Sequence, residues 1–213
     1  MLPICELENV TKRYGDHVVL DQISITVHEG EMVAITGQSG SGKTTILNLM
    51  GMLENPDKGT VKLFGEKRPP THSRKANHIL RTRLSYLFQN FALIDNATVN
   101  ENLAIPLIYS KKSKKEKQDL KTEALQKVGL NISLKQKVHT LSGGEQQRVA
   151  IARILLKPCD LILADEPTGS LDADNRHEIL EILKGLNEEN KTIIIVTHDP
   201  TVAETCHRTI PLS

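Results

Sequence analysis

Aromatic residues are scarce in this 213-residue sequence: tryptophan is absent, and Phe, Tyr and Trp together make up 3%. A platform that stacks successive nucleic-acid bases needs several rings, so that function is excluded. An excess of charge of one sign is missing too. Lys and Arg number 27 against 26 Asp and Glu, a formal net charge of +1, which gives no global field to attract nucleic acid. Cys5, Cys159 and Cys206 are odd in number, far apart and form no C-x-x-C. Neither a disulfide framework nor a thiolate metal site follows, and buried free thiols in a reducing cytoplasm are expected. No cationic region precedes an apolar stretch at Met1-Leu2-Pro3-Ile4, so no signal peptide is read. No run approaches the roughly 20 apolar residues of a membrane span. The best, Thr192 to Thr197, has the length of a buried strand. If the chain serves a membrane process, another polypeptide is expected to supply the membrane part.

What is present is organised around Gly37-Gln38-Ser39-Gly40-Ser41-Gly42-Lys43-Thr44-Thr45, placed between the apolar run Met32 to Thr36 and the helix-periodic Ile46 to Met50. Strand, glycine-rich loop and helix form the context in which G-x-x-x-x-G-K-[ST] cradles phosphates. Glycines let successive backbone N–H groups turn inward, and the helix that follows presents its positive dipole end. Lys43 is expected to reach the β- and γ-phosphates, Thr44 to ligate Mg²⁺ through its hydroxyl, and the first helical amides, including that of Thr45, to hold the phosphates.

Along the chain, Ile4 to Val10 and Val18 to Val27 alternate as strands of an antiparallel patch around the turn Tyr14-Gly15-Asp16. Lys58 to Gly65 reads as a hairpin strand, Glu66 to Asn77 as a polar loop, and Leu84 to Phe88 as a short strand ending at Gln89. Helical spacing begins at Thr98 and returns from Ser113 to Val128. Lys111, Lys112, Lys114, Lys115 and Lys117, interrupted by Glu116 and Asp119, read as a solvated helix start, with contact to anionic lipid heads as the alternative. Leu141-Ser142-Gly143-Gly144-Glu145 runs straight into a helix, and Ser-Gly-Gly at a helix start is a second anion site. The buried strand Asp160 to Ala164 ends in Asp165 and Glu166. Because neighbours on a strand face opposite ways, the two acids are expected to differ, one serving Mg²⁺ and one the attacking water. Asp174 to Glu189 reads as an amphipathic helix. His198 stands at the carboxyl end of the Thr192 to Thr197 strand, where open α/β sheets bind ligands, and can donate a hydrogen bond to a terminal phosphate. No element is read beyond His198-Asp199-Pro200.

These features together resemble the nucleotide-binding subunit of an ATP-binding-cassette (ABC) transporter over nearly the whole chain. The Leu-Ser-Gly-Gly-Glu signature is more specific than the phosphate loop, since average composition produces it in fewer than about one chain in a thousand. The resemblance implies an α/β P-loop ATPase core with a mainly parallel sheet, an N-terminal antiparallel β patch and an inserted helical subdomain: one domain over 1–213, with 1–90 and 158–213 as core and 91–157 as helical insert. It makes Tyr14 the ring that stacks on adenine, Gln89 the residue near Mg²⁺, and Asp165 the carboxylate of the metal. Glu166 becomes the general base, Ser170-Leu171-Asp172 the loop following it, and His198 the switch histidine. ATP and Mg²⁺ are the implied ligands. Two copies are implied to pack head to tail when nucleotide binds, so that Ser142, Gly143 and Gly144 of one close over ATP held by Lys43 of the other. A separate membrane permease would place the subunit at the cytoplasmic face of the membrane. Phe88 to Leu93, Thr98-Val99 and Glu101 to Leu107 resemble the subgroup of MacB, LolD and FtsE type ATPases, with wording similar to lactococcin-type bacteriocin exporters. Export or extraction of a peptide, bacteriocin or lipophilic substrate follows from that resemblance. The alternatives are an FtsE-like regulation of a membrane partner and, less well matched, a soluble ABC protein of DNA repair or translation. Two departures stand out: the chain stops soon after the switch histidine, where relatives usually add another strand, and Val138-His139-Thr140 lacks the proline often found before the signature.

Overall fold

A computed structural model describes residues 2–212. The apolar, β-branched runs lie side by side as a parallel sheet in the order β6 (Leu84–Leu87), β7 (Leu161–Asp165), β8 (Thr192–Val196), β3 (Met32–Gly37) and β9 (Arg208–Leu212). Every residue of β7 and β8 is buried, as continuous apolar strands covered on both faces require. The pleat divides them. Ile193 and Ile195 face one core with α5 (Gly143–Leu155) and α6 (Ala173–Glu188). Ile194 and Val196 face the other, with α1 (Lys43–Met50) and the second sheet.

That second sheet is antiparallel in the order β2 (His17–His28), β1 (Pro3–Tyr14), β4 (Lys58–Leu63) and β5 (Glu66–Lys67). The β1–β2 hairpin extends both expected strands to a two-residue turn at Gly15-Asp16. In the chain between β6 and β7, α3 (Val99–Ala104) runs into a 3₁₀ turn at Ile105–Leu107, and α4 (Lys114–Lys127) packs with them against α5. Lys111, Lys112, Lys114 and Lys115 are exposed where α4 starts.

Two expectations are corrected. The polar stretch read as a loop carries β5, and it overlaps α2 (Arg74–Thr82), capped by Ser73, whose hydroxyl accepts from the Ala76 amide at 3.1 Å. Only Ala76 and Ile79 of α2 are buried, too short an apolar stripe to stand out among Arg74, Lys75, Asn77 and His78. The residues after His198, read without structure, form α7 (Pro200–Glu204) and β9. β9 lies beside β3 as an edge strand whose side chains are half-buried or exposed, so its sequence lacks a buried strand's apolar run.

Candidate nucleotide site

The phosphate loop joins β3 to α1, and its backbone is bent as the glycines allow. Gly42 has φ +91°, and a Cβ there would sit 2.6 Å from Leu20 Cδ2, so both conformation and space demand glycine. Gly42 is also the N-cap of α1 and offers no side-chain cap, whereas α2 to α7 are each capped by a Ser, Thr or Asp side chain. The first amides of α1, those of Lys43, Thr44 and Thr45, therefore have neither an intrahelical acceptor nor a cap. Lys43 is buried and its Nζ donates to the loop's own carbonyls, Gly37 O at 2.8 Å and Gln38 O at 2.9 Å. Ser41 Oγ is buried without a partner. Free amides, a cation and an orphaned hydroxyl in one loop fit a polyphosphate.

A cavity of about 630 Å³ opens above this loop at the carboxyl ends of the strands. Tyr14, Gly37, Gln38, Ser39, Gly40, Gly42, Lys43, Thr44, Thr45, Gln89, Asp165, Glu166 and His198 line it, together with Val19 and Val196. Ser41 lies within the same loop. Tyr14 is about half exposed at one end of the cavity. Burial, and then the hydrogen bond to Glu54, push its phenol pKa up.

Asp165 closes β7, and its Oδ1 accepts from Thr44 Oγ1 at 3.3 Å. Burial pushes its pKa up, the Thr44 bond works against that, and Glu166 adds to it. A divalent cation beside it would offset this cost. Mg²⁺ is bound through one or two carboxylates plus substrate phosphates, and the Asp165 carboxylate, with the Thr44 and Gln89 oxygens in the same cavity, suits it. No cluster of three or more His, Cys, Asp or Glu metal ligands occurs among the described residues.

Glu166 departs from the expected reason for its divergence. It lies beyond the strand end with φ +44°, so a left-handed turn, and not the pleat, separates it from Asp165. For a non-glycine residue such a turn costs on the order of 1–3 kcal/mol. The turn is held by the Glu166 amide donating to Val196 O at 2.9 Å and by the Gly169 amide donating to Glu166 O at 3.1 Å. The side chain is aimed at the end of β8: Oε2 accepts from Thr197 Oγ1 at 3.2 Å, and Oε1 accepts from the His198 amide at 3.1 Å and lies 2.7 Å from His198 Nδ1. The imidazole is two-thirds exposed to the cavity.

Ser142, Gly143, Gly144 and Asp172 do not line this cavity. They form a second assembly on the same chain. Ser142 caps α5 in a reciprocal capping box with Glu145, and Asp172 caps α6 by accepting from the Asn175 amide at 2.9 Å. Gly143 stands against Leu171, and a side chain at Gly144 would collide with Asn175. One chain thus presents a phosphate cavity and a separate signature surface.

Several supporting residues carry no motif. Gln147, fully buried on α5, donates to Pro167 O at 2.7 Å and so ties the signature helix to the residue after Glu166. Thr197 and Glu54 are likewise silent in sequence, because a lone Thr at a strand end or Glu in a loop has no spacing to mark it.

Residues 20–169 match the family model described as ABC transporter. The chain is 39% identical over 214 residues to the macrolide export ATP-binding/permease protein MacB of Pasteurella multocida, and 39% identical over 206 residues to that of Campylobacter jejuni. These alignments cover 99% and 97% of this chain but 33% and 32% of the relatives, so the chain spans about one third of their length. Among solved structures, the ATP-binding cassette MJ0796 in a dimeric post-hydrolysis state bound to ADP and Pi is similar with a TM-score of 0.90 and 38% identity, covering 98% of this chain and 94% of that one. The cbiO1 component of the cbiONQ ABC transporter from Clostridium perfringens is similar with a TM-score of 0.86 and 28% identity, covering 99% and 85%. By sequence and by fold, this chain belongs to the ABC transporter family as one of its ATP-binding cassettes.

Proposed function

We propose that the chain hydrolyses ATP as the motor of an exporter whose membrane-spanning part is a permease. The observation that carries this is the split arrangement above: a complete phosphate cavity, with the signature surface outside it. Two chains packed head to tail would bring Ser142, Gly143, Gly144 and Asp172 of each copy to the cavity of the other. The dimeric MJ0796 cassette supports that packing.

In this reading Tyr14 stacks on adenine, and Gly37 to Thr45 enclose the phosphates with Lys43 at the β- and γ-positions. Thr44, Gln89 and Asp165 would hold Mg²⁺, which when bound neutralises charge on the β- and γ-phosphates. Glu166 orients a water and takes its proton as the water attacks the γ-phosphorus, ADP leaves, and phosphate is released. His198 orients that carboxylate and donates to the γ-phosphate as charge develops there.

No helix among the described residues is long and apolar enough to cross a membrane. The exposed Ile94, Ile105 and Ile108, in the segment that follows Gln89, offer apolar side chains to a permease helix at the cytoplasmic side of the membrane. The macrolide export role of the MacB relatives favours transport over FtsE-like regulation. A peptide, bacteriocin or lipophilic cargo does not conflict with it. Light scattering tests the core of the reading: Glu166→Gln should be monomeric without nucleotide and dimeric at saturating ATP. A monomer at saturating ATP, or a nucleotide-independent dimer, refutes the head-to-tail site.

A further inference from the structure

Glu54, in the turn that follows α1, belongs to no nucleotide motif, yet three donors converge on it. Its Oε2 accepts a hydrogen bond from the Tyr14 phenol, its Oε1 accepts from Asn48 Nδ2 at 2.9 Å, and Lys12 Nζ lies 3.7 Å from Oε2. The side chain is three-quarters buried. Burial pushes its pKa up, but the hydrogen bonds from Tyr14 and Asn48, with Lys12, outweigh that and leave it below the usual carboxylate range. Lys12 is fixed as well: it donates to Asn55 O at 3.0 Å and stands 5.2 Å from the centre of the Tyr14 ring. The ring is therefore tethered at its hydroxyl and accompanied by an ammonium. Asn48 sits on α1, the helix whose first amides face the phosphate cavity, and its Oδ1 accepts from Tyr86 Oη at 3.2 Å. The tether thus joins the ring to the same helix that presents the phosphate site.

An exposed tyrosine on a strand end would otherwise turn about its side-chain torsions, and ordering it on binding would cost affinity. We propose that Glu54 is a positioning residue for recognition of the nucleoside: it holds Tyr14 in one orientation at the end of the cavity, so that a base meets a ring already in place. This rests on the reading of Tyr14 as the stacking ring, and predicts an effect confined to ligands that carry a base.

The test is titration calorimetry of the full chain with ATP and with inorganic tripolyphosphate, which has the phosphates and no base. Glu54→Ala should weaken ATP about 3- to 10-fold, as expected for re-ordering one side chain, and leave tripolyphosphate within about twofold of wild type. Tyr14→Phe, which keeps the ring and loses the tether, should weaken ATP similarly, and adding Glu54→Ala to it should cost less than a further twofold. Glu54→Gln keeps one oxygen for the phenol but sets its NH₂ against the Asn48 donor, so it should recover part of the affinity and bind ATP more tightly than Glu54→Ala. Equal losses for both ligands, additive losses in the double variant, or a Gln variant as weak as Ala would overturn the proposal. Tyr14→Ala separates the two ideas. Unchanged ATP affinity in it overturns the stacking reading, whereas a loss there with neutral Glu54 variants overturns only the role of Glu54.

Discussion

Replacing Glu166 by Gln removes a base while leaving its shape and surroundings almost intact. In the folded chain this carboxylate accepts from Thr197 Oγ1 at 3.2 Å and from the His198 amide at 3.1 Å. Gln keeps one oxygen for the amide and a group of the same size in the same pocket, and the φ +44° turn is no more costly for Gln than for Glu. The fold and the phosphate loop should be undisturbed, so ATP affinity is expected within about twofold of wild type. The proton of the attacking water then loses its acceptor. General base catalysis contributes on the order of 10²- to 10⁴-fold, which at about 1.36 kcal/mol per decade is a barrier higher by about 2.7 to 5.4 kcal/mol. Single-turnover hydrolysis with protein in excess reads the chemical step without product release, and calorimetry beside it reads affinity. A wild-type rate in Glu166→Gln would refute the assignment of the base. A loss of affinity matching the loss of rate would show instead that the carboxylate acts in binding.

Lys43→Ala should weaken ATP by at least about 10²-fold in the same calorimetry, because Lys43, now held by the Gly37 and Gln38 carbonyls, is the lysine that lines the cavity among the described residues and so can oppose the phosphates; unchanged affinity would dismiss this loop as the phosphate site. Glu31 gives a pH-dependent stability prediction. Burial pushes its pKa up, but the Arg208 and His28 hydrogen bonds and charges outweigh this and leave it lowered. Its contribution is therefore complete above the unfolded value near pH 4.3 and is lost as pH falls through the lower folded value. Glu31→Gln should lower the Tm by about 2–4 °C at pH 7 for a loss of about 1 kcal/mol, with the difference shrinking as pH drops below about 4; a difference constant with pH would refute the ion-pair account.

The sequence by itself determined the phosphate loop, because Gly42 and Lys43 act through local backbone geometry and a helix start that a nine-residue stretch encodes. It determined β7 and β8 as well, since strands buried on both faces must be continuously apolar. The resemblance supplied the expected roles of Tyr14 and Gln89, which no spacing marks, whereas His198 stood out by its place at the carboxyl end of a buried strand. Tertiary structure decided the rest, where a residue's surroundings come from distant segments. α2 buries only Ala76 and Ile79, and β9 is a half-exposed edge held by β3, so neither carries the periodicity that burial imposes. Glu166 diverges from Asp165 through a strained turn fixed by Val196, not through strand alternation. Gln147 and Glu54 gain their positions from Pro167 and from Tyr14, 20 and 40 residues away along the chain. Such contacts are set by how the two sheets and their helices pack, and no local pattern of residue types records them.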